Sequence, residues 1–582
     1  MKKGQEVIGV VEEVLFPNKG MVRVKDGEET AFVQVKNVIP GQEIRLRITK
    51  KRHGNYEGRL LGVVKASSLE SAPDPCPHFS ECGGCLYQTM PYGEQLKLKE
   101  QQIRTLLAPV LELDTGCNEG TERDSGGKTA DNTAEPAGCF DRIYEGILGS
   151  PLSEGYRNKM ELTFGDCEKG GELTLGMHRR GSFYDILPTT ECRIQDADMR
   201  TVQRVTLEFF RGKGISYYHK TSHEGYLRHL LLRKAKKTGE LLVDLVTSSD
   251  FRSTEKEVLL LEEWRDLLLA QEYEGKIVGI LHTKNDRPAD VVEDQGTEVL
   301  YGQDFFTEEL LGLSFVITPF SFFQTNSLGA EVLYQKAREF ILAKKFTRIY
   351  DLYSGTGTIA QILSPVAQEV IGVEIVEEAV EAAKRNAALN GITNCRFIAG
   401  DVLKVLDDMT DQPDFIVLDP PRDGIHPKAL PKILSYGVRH ILYISCKATS
   451  LARDLPVFFE AGYHARRIAL VDLFPGTGNV ETVCLLSKGD VKSQRLRVEF
   501  SLEDMDTDGF KKGATYNAIR DWIKAKYGYR VTNLNIAQVK QKHGIIERDN
   551  YNKPKSPDSK QPGCPEEKVK AIEDAMRHFQ MI

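Results

Sequence analysis

The sequence predicts an α/β protein whose doubly wound α/β domain, over residues 320–488, follows an N-terminal β-barrel and a central α+β region. Two observations carry this. Residues 348–445 run through five buried-type strand segments (RIYDLY, EVIGVE, RFIAG, DFIVLD and ILYIS) with helical segments between them, as in parallel sheets covered on both faces. Residues 1–66 instead alternate apolar and polar residues in short runs broken by Gly turns (VIGVVEEV, GMVRVKDG, AFVQVKNV, GQEIRLRITKKR), the pattern of a small closed barrel.

Along the barrel, Arg45, Arg47, Lys50, Lys51 and Arg52 put positive charge on and just after one strand. That is either a solvated, aggregation-resistant edge or a phosphate-contacting surface. Residues 67–319 mix strand runs (MELTFG, LTLGMHRR, LLVDLVTS, IVGILHT) with helical ones, so an α+β domain is expected. Residues 112–139 within it are polar and Gly-rich, predicting a disordered insertion in which Cys117 and Cys139 are incidental. A helix is expected after Asn326, with Leu328, Val332, Leu333, Ala337, Phe340 and Ile341 on one face. The run EEAVEAAKRNAALN, closed by Gly391, predicts another between two strands. Residues 489–582 read as an appended helical module with no evident chemistry.

At 582 residues, the chain has room for three or four domains. With 41% hydrophobic and 28% charged residues it has a globular composition. No apolar run of about 18 residues is present, and the N-terminus lacks a signal-peptide core, so no membrane span and a cytoplasmic location are expected. The net charge of −7 disfavours a uniformly basic nucleic-acid binder and leaves recognition to local patches. An odd count of 11 cysteines predicts no disulfide framework.

The segment Asp351-Leu-Tyr-Ser-Gly-Thr-Gly-Thr-Ile-Ala360 ends a strand and opens a helix, where Gly lets backbone approach a ligand. Glu374 ends the next strand, 19 positions after Gly355, where it can accept hydrogen bonds from ribose hydroxyls. GTGTIA also fits a dinucleotide loop, which makes NAD a rival. Asp351 on the strand, Asp401 after the third strand and Asp419-Pro-Pro-Arg422 after the fourth favour a sulfonium-bearing amino acid ligand, S-adenosylmethionine.

The fifth strand ends in Ser445-Cys446-Lys447. A cysteine at this edge reads as a nucleophile, with Lys447 placed to lower its pKa. Methylation at pyrimidine C5 gives it a task. Thiolate addition at C6 makes C5 nucleophilic enough to take a methyl group. A base must then remove the C5 proton, and Glu481 in Asn479-Val-Glu-Thr-Val483 is the candidate. Arg422 is expected to steady the base or a phosphate. Cys76, Cys82 and Cys85 fall within one short loop, a metal-type cluster for which spacing alone leaves zinc and iron–sulfur open.

Taken in order, FFQTN (Phe322–Asn326), DLYSGTGTIA, GVE, GD, DPPR, SCK and NVETV resemble the RNA uracil-C5 methyltransferase family over about 165 residues. The resemblance implies a Rossmann-like S-adenosylmethionine methyltransferase domain whose ligand meets Gln324, Tyr353, Thr358, Glu374, Asp401 and Asp419. It also implies Cys446 as nucleophile, Glu481 as base, and an RNA-binding TRAM-like barrel over 1–66. For the cysteine loop it favours a [4Fe–4S] cluster over zinc and Cys192 over Cys167 as fourth ligand, with a structural or RNA-recognising role. Ribosomal RNA (23S) is expected over transfer RNA as partner, acting on a monomer. Lys447 and Asn479 stand where the family often has Asn and His. The rivals are an NAD oxidoreductase, a non-catalytic RNA-binding assembly factor, and an amino-directed methyltransferase, which would need an aromatic residue where Arg422 stands.

Overall fold

A computed structural model describes residues 1–27, 29–52, 55–118, 138–251, 253–289, 292–341, 345–409, 412–488, 516–528, 531–543 and 565–578. The chain divides into two compact units, Met1–Asp490 and Val491–Ile582. Residues 119–137 of the expected insertion lie outside the described residues.

Strands β1 (Glu6–Leu15), β2 (Lys19–Asp26), β3 (Glu29–Lys36), β4 (Glu43–Arg52) and β5 (Asn55–Lys65) close a barrel in the order β1-β2-β3-β5-β4, with β4 returning to β1. Strand side chains alternate between faces, so Val22, Val33, Ile44, Leu46 and Ile48 fill the interior while Arg45 and Arg47 point outward. Arg47 pairs with Glu6 at 2.6 Å and Lys50 with Glu57 at 2.9 Å.

Helix α1 (Tyr92–Leu111), α2 (Cys139–Ile143) and β6 (Tyr144–Leu148) follow. Cys139 is disulfide-bonded, against the expectation that it is incidental. Its N–H donates to Glu112 Oε1 at 2.8 Å, so the two ends of the insertion stand together and closing that loop is easy.

A seven-stranded sheet forms the centre. Its strands are β7 (Lys159–Asp166), β8 (Leu173–His178), β9 (Ile186–Leu187), β10 (Leu227–Lys234), β11 (Glu240–Thr247), β12 (Lys276–Lys284) and β13 (Thr297–Gly302), in the order β13-β12-β11-β10-β7-β8-β9. Helices α3 (Ala197–Gly212) and α4 (Thr254–Leu269) cover it through Val202, Phe210, Leu261 and Trp264. A hairpin of β14 (Phe306–Leu310) and β15 (Leu313–Ile317) leads on.

Next come α5 (Ser327–Ile341), β16 (Phe346–Leu352), α6 (Thr358–Leu363), β17 (Ala367–Glu374), α7 (Glu377–Leu389), β18 (Cys395–Ala399), α8 (Val402–Asp408) and β19 (Phe415–Leu418). The unit ends with α9 (Ala429–Ser435), β20 (His440–Ser445), α10 (Ala448–Glu460), β21 (Tyr463–Val471) and β22 (Glu481–Lys488). The sheet order is β18-β17-β16-β19-β20-β22-β21-β6; β16 to β20 are parallel and β22 runs antiparallel between β20 and β21. Both faces are covered, which explains the continuous apolar runs. Ile349, Val370, Val417 and Leu442 face α5 and α7; Tyr350, Ile371, Ile416 and Ile441 face α1 and α10. Parallel pairing with β21 brings β6 into this sheet although it lies within residues 67–319. No helix among the described residues is long and apolar enough to cross a membrane.

The second unit contains α11 (Tyr516–Tyr527), α12 (Asn533–Lys542) and α13 (Glu566–His578), whose Ile519, Ile523, Ile536, Val539, Ile572 and Met576 form a core.

Candidate active site

The parallel register brings the carboxyl ends of β16, β17, β18 and β19 level, the edge where ligands of such sheets bind. Tyr353 turns the chain out of β16 with φ 72°, and Gly355 and Gly357 also have positive φ. A Cβ on Gly357 would come within 2.6 Å of the Phe397 ring, so only glycine fits there. The N–H groups of Tyr353 and Ser354 donate to Val373 O at 2.9 and 3.0 Å, and Gly355 N–H to Glu374 Oε2 at 2.9 Å. Glu374 therefore shapes the loop and keeps acceptor lone pairs for a ligand. Asp401 caps α8 through Leu403 N–H at 2.9 Å, Thr358 is buried at the start of α6, and Tyr353 is partly buried, its phenol pushed up to about 12 by burial and by Asp401 and Asp454. Gln324, partly exposed, is held from the central sheet: Asn158 Nδ2 donates to its carbonyl at 2.7 Å.

Asp351 is fully buried, and its Oδ2 accepts from Ala360 N–H at 3.0 Å. Its Oδ1 has no hydrogen-bond partner, and neither does the buried Ser354 Oγ. Burial, with Asp419 and Glu374 nearby, pushes the Asp351 carboxyl up to about 8. Burial alone pushes Asp419 up to about 7. An unpartnered acceptor beside clustered carboxyls is a cradle for a cationic, hydrogen-bond-donating ligand.

Ser445 on β20 faces Thr482 on β22, so the next residues along each strand, Cys446 and Glu481, are cross-strand neighbours. Cys446 is partly exposed, whereas Glu481 is 2% exposed. Burial first, then the charges of Glu481 and Asp419, push the Cys446 thiol up to about 12, and Arg422 opposes the shift. Burial and Asp419 push Glu481 up to about 8, again opposed by Arg422. Arg422, rather than the expected Lys447, is the cation acting on the thiol. Its Nη2 donates to Asn479 Oδ1 at 3.1 Å. Thiol, carboxylates and guanidinium thus lie close enough at this edge to act on one another's charge.

Cys76, Cys82, Cys85 and Cys192 line one cavity of about 200 Å³, and Cys167 does not. Among the described residues no three His, Cys, Asp or Glu side chains converge as ligands of a single metal ion. Gly84 N–H points at Cys82 Sγ (3.4 Å) and Gln88 Nε2 at Cys85 Sγ (3.6 Å), donors suited to thiolates.

Sequence reading missed several supports. Tyr334 lies buried beside Asp419, Glu481 and Asp351 and bonds Gln324. Asp454 Oδ2 accepts from Ile425 N–H (3.2 Å) and Tyr443 OH (2.9 Å), and Ser450 Oγ donates to Arg422 O (2.7 Å), fixing the Pro-Pro-Arg turn on α10. Tyr334 falls on the buried face of α5, a periodicity signal that could have found it; Asn158 and Arg233 come from the central sheet and carry no local signal.

The fold and this edge define the class: an α/β protein with the methyltransferase fold. A family model described as tRNA (uracil-5-)-methyltransferase matches residues 291–489. A protein of Clostridium tetani described as an uncharacterized RNA methyltransferase is 44% identical over 84% of this chain and 99% of its own length. One from Caldanaerobacter subterraneus, described likewise, is 42% identical over 84% and 100%. The crystal structure of a Pyrococcus abyssi tRNA (uracil-54, C5)-methyltransferase with S-adenosyl-L-homocysteine superposes with a TM-score of 0.61 at 24% identity, covering 82% of this chain and 99% of that one. The chain belongs to the RNA (uracil-5-)-methyltransferase family.

Proposed function

We propose that the protein methylates C5 of a uridine in 23S ribosomal RNA, with S-adenosylmethionine as donor and Cys446 as covalent nucleophile. The pairing of Cys446 with Glu481 across adjacent strands carries this reading. The target uridine turns out of its stack to meet this pair. Cys446 Sγ bonds to C6, and C5 takes the methyl group from the sulfonium, releasing S-adenosylhomocysteine. Glu481 then removes the C5 proton, the C6–S bond breaks, and the thiolate leaves. In the resting enzyme the thiol stays protonated; a cationic donor beside Asp419 offsets the two carboxylates that oppose its ionisation. Gln324, Tyr353, Thr358, Glu374, Asp401 and Asp419 would hold the donor, and the unpartnered Asp351 Oδ1 suits its ammonium group.

With RNA carrying 5-fluorouridine the enzyme should form a stable adduct, because fluorine cannot leave as a proton. An adduct that persists in Cys446→Ala would sink the assignment. A ribosomal target rests on the resemblance of the barrel and cysteine loop to the ribosomal branch. A tRNA target is the second reading, favoured by the description of the matching family model. Mapping 5-methyluridine in RNA from cells lacking the gene separates them. RNA as substrate also supports a cytoplasmic location, and the protein is read as a monomer.

The family resemblance favours a cluster over zinc, and the four cysteines line one cavity. Cys76, Cys82, Cys85 and Cys192 would hold a [4Fe–4S] cluster, which would cross-link this loop to the central domain; methyl transfer needs no electrons from it. Anaerobically purified protein should be brown, and colourless, zinc-rich protein would reverse the assignment.

A further inference from the structure

The Arg422 side chain is exposed, and among the described residues it makes one hydrogen bond, from Nη2 to Asn479 Oδ1 at 3.1 Å. Its backbone is already fixed. Ser450 Oγ donates to Arg422 O at 2.7 Å, and Gly424 N–H donates to Pro421 O at 2.7 Å. The stem above that turn is not fixed by these bonds. A long exposed side chain samples many rotamers, so a guanidinium acts on one particular neighbour only where an acceptor holds its fork.

Asn479 is built to be that acceptor, because its own backbone is tied down from several sides. Thr477 donates to Phe474 O through its N–H (3.1 Å) and its Oγ1 (2.8 Å), and Thr477 Oγ1 accepts from Asn479 N–H at 3.2 Å. Next to it, a Cβ on Gly478 would lie 2.7 Å from Pro17 O, in the turn between β1 and β2, and 3.0 Å from Leu86 Cδ1. On its other side Val480, 1% exposed, is sunk into the core on the α1 and α10 face. The amide therefore stands at a set place two residues ahead of the candidate base.

The charges around this place oppose the chemistry. Glu481 at the start of β22 and Asp419 after β19 both act on the thiol, and Tyr334 on α5 lies beside both carboxyls. Arg422 works against them at Cys446 and at Glu481. We propose that Asn479 is a positioning residue, which holds the Arg422 guanidinium beside the Cys446–Glu481 pair. The proposal rests on the Cys446 mechanism and deepens it. It gives a task to a residue that stands where the family often has His. Neutral imidazole offers an acceptor nitrogen in place of the amide oxygen.

The test needs no RNA. It is the rate at which iodoacetamide alkylates Cys446 in the full-length protein, followed by mass spectrometry of the modified peptide at about pH 8.5. Below the thiol pKa this rate follows the thiolate fraction. Asn479→Ala should lower it about 3- to 10-fold, the effect of losing half to one pKa unit of support. Arg422→Gln should lower it at least as far. Asn479→Ala added to Arg422→Gln should change it no further, because the amide acts only through the guanidinium. Asn479→His should recover most of the wild-type rate. Donor binding and melting temperature report whether the variants are folded. A rate in Asn479→Ala that is unchanged or higher would overturn the proposal, as would a further loss on top of Arg422→Gln, the mark of a merely structural role. The fluorouridine adduct tests the mechanism separately: an adduct that persists in Cys446→Ala removes the nucleophile, whereas additive losses in the alkylation series remove Asn479 alone.

Discussion

The backbone N–H of Leu86 donates to the carbonyl of Gly476 at 2.7 Å. That bond ties the cysteine loop to the segment that turns β21 into β22 and so delivers Glu481. Tyr87 N–H joins it at 3.0 Å, Gly476 N–H donates to Gln95 Oε1 at 2.7 Å, and Tyr156 OH donates to Pro475 O at 3.0 Å. The candidate base is aimed by residues from three parts of the chain.

Gly476 is therefore a sensitive position. Its φ is 79°, and a Cβ there would lie 2.7 Å from Gln88 Nε2 and 3.6 Å from Cys85 Sγ. Gly476→Ala should destabilise the first unit by about 1–2 kcal/mol in denaturant titration, from the left-handed backbone alone. It should also slow fluorouridine adduct formation while leaving donor binding intact.

The thiol of Cys446 is held up by burial and by two carboxylates, so added positive charge should make it more reactive. S-Adenosylmethionine should accelerate alkylation of Cys446 relative to S-adenosylhomocysteine, which fills the same space without the sulfonium charge. Mass spectrometry of the modified peptide gives both rates. Equal rates would mean that the donor charge does not reach the sulfur.

Glu481 must be ionised to take a proton, and burial with Asp419 pushes it up to about 8. Turnover at saturating substrates should rise with pH through that region. Arg422 favours the ionised forms of both Glu481 and Cys446. Arg422→Gln should move the rising limb to higher pH, as read from the pH profile of kcat. A limb that stays in place or moves lower would remove Arg422 from this role.

Lys99 on α1 meets Asp472 at 2.7 Å with both side chains fully buried, and also donates to Phe474 O at 3.1 Å. Lys99→Met leaves a carboxylate stranded in the interior and should cost about 3–5 kcal/mol; Lys99→Met with Asp472→Asn should recover much of that loss. Denaturation midpoints of the two variants decide it.

Much of the catalytic edge was legible because its signals are local. RIYDLY, EVIGVE and ILYIS announce buried parallel strands by composition, and in a parallel sheet every strand end falls on the same edge. Asp351, Glu374, Asp419 and Cys446 could therefore be gathered without a structure. What could not be read depends on partners distant in sequence. Asn158, just ahead of β7, holds Gln324, and Arg233 on β10 holds the residues before Phe322, its Nη2 reaching Pro319 O at 2.8 Å. Lys447, adjacent in sequence to the thiol, looked like its cation, yet Arg422 fills that place because the Pro-Pro-Arg turn is folded back onto α10 by Ser450 and Asp454. Cys139 likewise carries no sequence signal of its bond, since what matters is that the two ends of the insertion meet.

The outermost strand of the catalytic sheet, β6, comes from a stretch of chain about 320 residues ahead of β21, the strand it pairs with. A gene fragment starting at residue 320 would encode every motif of the reaction and still lack this strand. Its sheet would end on β21 with a row of unsatisfied amides and carbonyls open to the next molecule, a template for self-association. Shortened versions for crystallisation or labelling should therefore be cut after residue 488 and should keep residues 144–148.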